Sequence, residues 1–271
     1  MVTRFFSRTG VVIWIAATFG TICVLPYVLA LVPVGHSGSL HSLSPALVIA
    51  SVAQSSLFLG FMTFTGLWAA RALGKGAPLV DAWCRGEPAP AGTGRYALIA
   101  AVSGFVSGFV LLALDVGVFL LLSPSAVGQL LLVRQPPAWA GFLGSFEGGI
   151  TEEVELRLFL LSFLALGFRF VYRRVVTRPD VPLAPALFWA ANLVAALLFG
   201  LGHLPTTAQL VALTPVVVAR ALVLNGIVGL TAGALFWSYG IEMAMLCHFT
   251  ADLVLHVVAP LCQAFLLSLV R

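Results

Sequence analysis

Residues 96–122 read Tyr-Ala-Leu-Ile-Ala-Ala-Val-Ser-Gly-Phe-Val-Ser-Gly-Phe-Val-Leu-Leu-Ala-Leu-Asp-Val-Gly-Val-Phe-Leu-Leu-Leu, an apolar run interrupted by a single charge, Asp115. About 20 apolar residues carry a helix across the hydrocarbon core of a bilayer, so this run is long enough to span. Similar stretches recur along the chain, at 11–33, 45–70, 151–172, 185–203, 215–237, 241–258 and 260–270. They predict an all-α, polytopic transmembrane bundle of about eight helices, the last two short enough to be tilted or half-length. No period-2 alternation suggests a membrane barrel. The run at 11–33 follows Arg4 and Arg8 but is long for a signal peptide and precedes further spans, so a retained first helix is expected.

Composition says the same for the whole chain. Of 271 residues, 61% are hydrophobic and 9% charged, against about a quarter charged in a soluble domain, and the mean hydropathy is +1.08. A single integral membrane domain over residues 1–271 is expected. The net charge of +4 is no nucleic-acid footprint, because the basic residues sit in short loops between apolar runs. Arg4 and Arg8, the polar stretch 71–95, and Arg169 to Arg178 fall on one side if every run crosses, and that side is expected to be the cytoplasm, with the N-terminus. The segment 123–149, with Pro124, Pro136 and Pro137, reads as a surface-lying connection. The four cysteines form no paired spacing. One lysine among 14 basic residues, with abundant Ala, Gly, Leu and Val, suits a GC-rich bacterial genome and hence a bacterial inner membrane.

Ionisable groups inside spans are costly and mark function by default. Three of the ten acids crowd into Thr151-Glu152-Glu153-Val154-Glu155-Leu156-Arg157. Glu153 and Arg157, four apart, share a helix face in the favourable order, while Glu152 sits about 100° further round and can point into the bundle. The plainer reading is that acids in a first turn complement the helix dipole. In Phe199-Gly200-Leu201-Gly202-His203 the glycines permit close approach of another helix or a substrate backbone; alternatively, His203 simply caps a helix end. In His248-Phe249-Thr250-Ala251-Asp252 a carboxylate can orient an imidazole on one face, or the pair can serve as interhelical glue. Glu152 at the start of one helix and His203 at the end of the next return to one membrane side, opposite the basic loops, and His248 can reach the same level. Asp115 and Asn225 are read as packing groups that can also line a cavity, and His256 as a support extending the Asp252 face.

These three elements, in this order on separate membrane helices, resemble the CAAX-protease and bacteriocin-processing (CPBP) family. Its patterns Glu-Glu-x-x-x-Arg, Phe-x-x-x-His and His-x-x-x-Asn/Asp are matched by Glu152, Glu153 and Arg157, by Phe199 and His203, and by His248 and Asp252. The CAAX endopeptidases usually carry Asn where this chain has Asp252. The resemblance covers roughly residues 145–260. It implies hydrolysis of a peptide bond in or beside the membrane, on a membrane-anchored or peptide substrate. Glu152 would be the general base, helped by His203. His248, oriented by Asp252, would hold the oxyanion or leaving group, and Glu153 with Arg157 would hold the first motif in shape. A zinc-centred version with Glu152, His203 and His248 as ligands and water in the open position is the metal alternative. A proton-coupled transporter using the same acids and histidines and a catalytically silent scaffold are the competing readings.

Overall fold

The computed structural model describes residues 7–31, 44–132, 136–176 and 183–262, and among them the chain is helical throughout, without strands. Nine helices follow in order: α1 (Arg8–Leu31), α2 (Pro45–Ala72), α3 (Pro78–Arg85), α4 (Thr93–Leu122), α5 (Pro124–Leu132), α6 (138–176), α7 (Pro185–Ala208), α8 (Pro215–Tyr239) and α9 (Ile241–Cys262). Six of them, α1, α2, α4, α7, α8 and α9, are long and apolar enough to cross a membrane. The polytopic helical bundle expected from the hydropathy pattern is what forms.

Helix starts follow local chemistry. Ser44 and Thr214 each cap a helix whose first residue is proline, their hydroxyls accepting from Leu47 N and Val217 N. Gly240 joins α8 to α9 at φ 103°, where a side chain would be strained and would also strike Pro78.

Two helix assignments differ from the sequence reading. Where it is described, the segment 123–149 is helical: it forms α5 and then the first turns of α6, which begins at Ala138 directly after Pro137 and not near Thr151. Glu152 therefore lies well inside α6, and the first-turn dipole explanation for its acids falls away. The runs 241–258 and 260–270 do not form separate helices at their junction either. α9 continues through Pro260 to Cys262, and the remainder of the last run lies outside the described residues. Proline is tolerated there because Val254–Val258 is wound as a π-helix, which eases the clash with the preceding turn.

α4 packs on α9, α7 on α8, α8 on α9, and α2 on α6. Leu59 and Leu67 of α2, Leu158 and Leu161 of α6, Phe236 and Ile241 make the central apolar cluster. The outer surface stays apolar: Ile49, Leu57, Leu98, Phe109 and Leu121 are all more than half exposed. That is the surface of a protein whose solvent is lipid.

The two ends of the bundle differ in charge. At one end Thr9 and Arg71 both hold Asp81, at 2.5 and 2.8 Å. Arg169 donates to the Ala72 carbonyl at 2.7 Å, and Lys75 to the Trp237 carbonyl at 2.6 Å while lying over the Trp237 ring. Burial there lowers the pKa of the Lys75 amine below its ordinary value. Glu242 accepts from Leu79 N and Val80 N, both at 2.9 Å, and so caps α3. Arg8, Arg85, Arg95, Arg173 and Arg174 belong to the same end. Among the described residues, Arg220 is the basic side chain toward the opposite end.

Candidate active site

The polar centre is built on an unusual stretch of backbone. From Glu147 to Leu161, apart from Glu153, α6 is wound as π-helix rather than α-helix. Such winding is rare and frequently found at functional sites. Here it lets the acids of one helix face several neighbours. Thr151 anchors the stretch by donating to the Ala17 carbonyl of α1 at 2.8 Å.

Glu153 and Arg157 lie behind the cavity wall, both buried, with Arg157 Nη1 2.7 Å from Glu153 Oε1. The contact is an ion pair more than an aligned hydrogen bond, and the guanidinium also lies over the Phe199 ring at 5.1 Å. Glu153 Oε1 is in addition 2.8 Å from His248 Nδ1. A carboxylate only accepts, so Nδ1 carries the proton and Nε2 faces the cavity. The carboxylate that orients His248 is thus Glu153. Asp252, expected in that role, stands 3.8 Å from Nε2, beyond hydrogen-bond reach, and Glu152 Oε2 stands 3.7 Å from the same nitrogen.

Phe199 explains its place in the second motif. Its ring meets His203 edge to face at 4.8 Å and His248 at 5.6 Å, so it spaces the two imidazoles. His203 sits at the break between the main part of α7 and its last turn, Leu204–Ala208. Its Nδ1 is 3.0 Å from the Phe199 carbonyl. A carbonyl also only accepts, so Nδ1 donates and Nε2 of the neutral ring is left as an acceptor.

Glu152, Phe199, His203, His248 and Asp252 all line one cavity of about 500 Å³. The motif residues expected to converge do so, with Glu153 and Arg157 as their buried support. Asp115 and Asn225, read as packing groups, line the same cavity. Asn225 donates to the Ala221 carbonyl at 2.9 Å, and Asp115 receives both Nε and Nη2 of Arg220 at 2.5 Å. His256 also lines it, and its Nδ1 lies 3.0 Å from the hydroxyl of Tyr27.

Glu147, Arg220 and Tyr27 are cavity residues that the sequence reading did not single out. Arg220 had a usable signal, an arginine inside an apolar span that demands a partner. Glu147 had the same signal, masked by the glycines beside it. Tyr27 had none. As for zinc, no three His, Cys, Asp or Glu side chains among the described residues are gathered closely enough to hold a metal ion. Glu152, His203 and His248 therefore do not fit a metal centre as arranged.

The described residues thus form a helical membrane bundle with a cavity lined by glutamate, histidine and aspartate side chains. Residues 134–254 match the family model described as type II CAAX prenyl endopeptidase, Rce1-like. Over these residues the chain is similar to that family, and the resemblance drawn from the three motifs holds; it supports an integral membrane endopeptidase of the CAAX type in general. No curated protein and no solved structure matches the chain.

Proposed function

We propose that this protein is an intramembrane endopeptidase that hydrolyses a peptide bond of a membrane-anchored or peptide substrate, with Glu152 and His203 activating water and His248 supporting the oxyanion. The observation that carries the reading is the shared cavity: Glu152, His203, His248 and Asp252 come from three helices and face one space. Packing roles alone give no reason for that convergence.

The steps follow from the proton positions. Water between Glu152 and the bare Nε2 of His203 loses a proton to the carboxylate as its oxygen attacks the scissile carbonyl carbon. The carbonyl oxygen becomes an oxyanion, which His248 meets with Nε2. For Nε2 to donate, the ring carries both protons, and the carboxylates of Glu153 and Asp252 balance its charge. Collapse of the tetrahedral intermediate breaks the C–N bond. Glu152 returns its proton to the departing amine, leaving a carboxyl and an amine product. The lipid-facing walls exclude bulk water and strengthen each of these interactions.

Sidedness belongs to the same reading. With the basic end in the cytoplasm by the positive-inside rule, the N-terminal end of α1 is cytoplasmic. The cavity, lined by Tyr27, His203, Arg220, Ala259 and Pro260, then opens toward the opposite face of what we take to be a bacterial inner membrane.

The test is cleavage of a library of membrane-anchored peptides by purified protein. Wild type should cleave. Glu152→Gln and His248→Ala should each lose about 10²-fold or more, with thermal unfolding of Glu152→Gln unchanged. Undiminished cleavage by Glu152→Gln would sink the proposal, and a pH-gradient-driven proton flux lost in the same variant would favour a transporter instead.

A further inference from the structure

The matched family segment ends at residue 254, yet the polar wall of the cavity continues beyond it. Asp252 lies between two histidines of its own helix. His248 Nε2 is 3.8 Å from its Oδ1 on one side, and His256 Nε2 is 3.9 Å from the same oxygen on the other. His256 in turn meets Tyr27 of α1, both by the 3.0 Å contact at Nδ1 and by an edge-to-face ring contact at 5.1 Å. Tyr27 is placed for this by the break in α1 at Val24, and His256 by the π-wound turn Val254–Val258 together with Gly141, whose bare Cα seats against the His256 carbonyl.

The proton on His256 can be assigned from its neighbours. If Nδ1 carried it, the lone pair of Nε2 would face the Asp252 carboxylate, two acceptors opposed in a cavity of low dielectric. If the Tyr27 hydroxyl donates to Nδ1, the N–H stands on Nε2 and points at Asp252. The second arrangement pairs Tyr27 with His256 and turns an N–H dipole, not a lone pair, toward the carboxylate, a charge–dipole contact at 3.9 Å.

We propose that Tyr27 and His256 are positioning residues: the Tyr27 hydroxyl fixes the Nε2–H tautomer of His256, whose N–H dipole faces the Asp252 carboxylate at 3.9 Å and stabilises its charge beside His248. The inference rests on the protease reading for its consequence, not for its geometry.

The experiment has two arms, on full-length protein in lipid nanodiscs. In the first, protein with ¹⁵N-labelled histidine is compared with Tyr27→Phe, the His256 and His248 signals being identified by their loss in His256→Gln and His248→Gln. The proposal expects His256 as the Nε2–H tautomer in wild type. Tyr27→Phe should mix its tautomers and also move the His248 signal, and in an Asp252→Asn background it should no longer reach His248. A His248 signal indifferent to Tyr27→Phe, or an unchanged His256 tautomer, overturns it. In the second arm, Tyr27→Phe and His256→Gln should each lower kcat about 10-fold, less than the loss of a catalytic acid or base itself, with KM little changed. In the Asp252→Asn background the same substitutions should cost about 2-fold or less, as coupled residues do. Equal losses in both backgrounds, or a loss confined to KM, overturn the proposal. If wild type cleaves no peptide and Glu152→Gln behaves like it, the protease reading fails, while the histidine spectra still decide the positioning chain.

Discussion

Glu153 Oε1 stands 2.8 Å from His248 Nδ1, across 95 residues of sequence, and the same oxygen stands 2.7 Å from Arg157 Nη1. One buried carboxylate thus joins the first motif to the third. Its neighbour Glu152 keeps about a quarter of its side chain exposed, at 26%. Adjacent glutamates should therefore fail in different ways. Glu153→Ala leaves the Arg157 guanidinium buried without its counter-charge, a loss of about 3–5 kcal/mol, and should lower the unfolding temperature along with activity. Glu152→Gln should abolish cleavage while melting like wild type. Differential scanning fluorimetry beside a cleavage assay separates the two.

Gly148 of α6 faces the third motif. A Cβ there would overlap Asp252 Oδ2 and lie 3.1 Å from His248 Nε2. Both are side-chain ends, so the fold can yield but the site cannot keep its geometry. Gly148→Ala should lose about 10²-fold in activity, as a misplacement of about 1 Å does. Alanine's better helix propensity should keep the unfolding temperature close to that of wild type. A fully active Gly148→Ala would show that the spacing of α6 from α9 is not what positions His248 and Asp252.

The Asp115–Arg220 pair predicts a stability pattern. Asp115→Ala leaves Arg220 uncompensated in the cavity and should cost about 3–5 kcal/mol, whereas the double variant Asp115→Leu with Arg220→Met should recover most of that loss. Thermal unfolding of the three proteins in one detergent checks it. A double variant as unstable as the single one would mean that the pair does more than neutralise itself.

Native cysteines mark the two ends of the bundle. Cys84 lies in α3 among the basic residues, and Cys262 is exposed at the far end of α9. With the basic end in the cytoplasm, a membrane-impermeant maleimide added to intact cells should label Cys262 and spare Cys84 until the membrane is opened. The reverse pattern would invert the proposed sidedness.

The spans were legible because hydropathy over about 20 residues is a strong signal, and the motif residues because charges in such spans are conspicuous. The legibility failed where a local breaker was overruled by packing. Pro136 and Pro137 end one segment but also start α6, which runs on through Gly148 and Gly149 where α9 presses against them. Pro260 read as a stop, yet π winding just before it lets α9 run on. Asp252 was read as the partner of His248 because i, i+4 spacing puts them on one face. The actual hydrogen-bond partner, Glu153, comes from another helix, and no periodicity within one segment encodes that. Arg220 was identifiable from its cost alone; Tyr27 is an aromatic in an apolar run, and only the tertiary fold shows that its hydroxyl meets His256.

The π winding of 147–161 has a consequence for the reading frame of the helix. Wider turns accommodate more residues over the same length than ordinary α-helix does. Losing a single residue there can be absorbed by tightening one wide turn to α-helix, which leaves the helix on both sides in phase. The same loss in the α-wound remainder of α6 has no such reserve and would swing everything beyond it by about 100°. The chemistry of this wall is written in helical phase, and the wide turns are where that phase can take up a change of length.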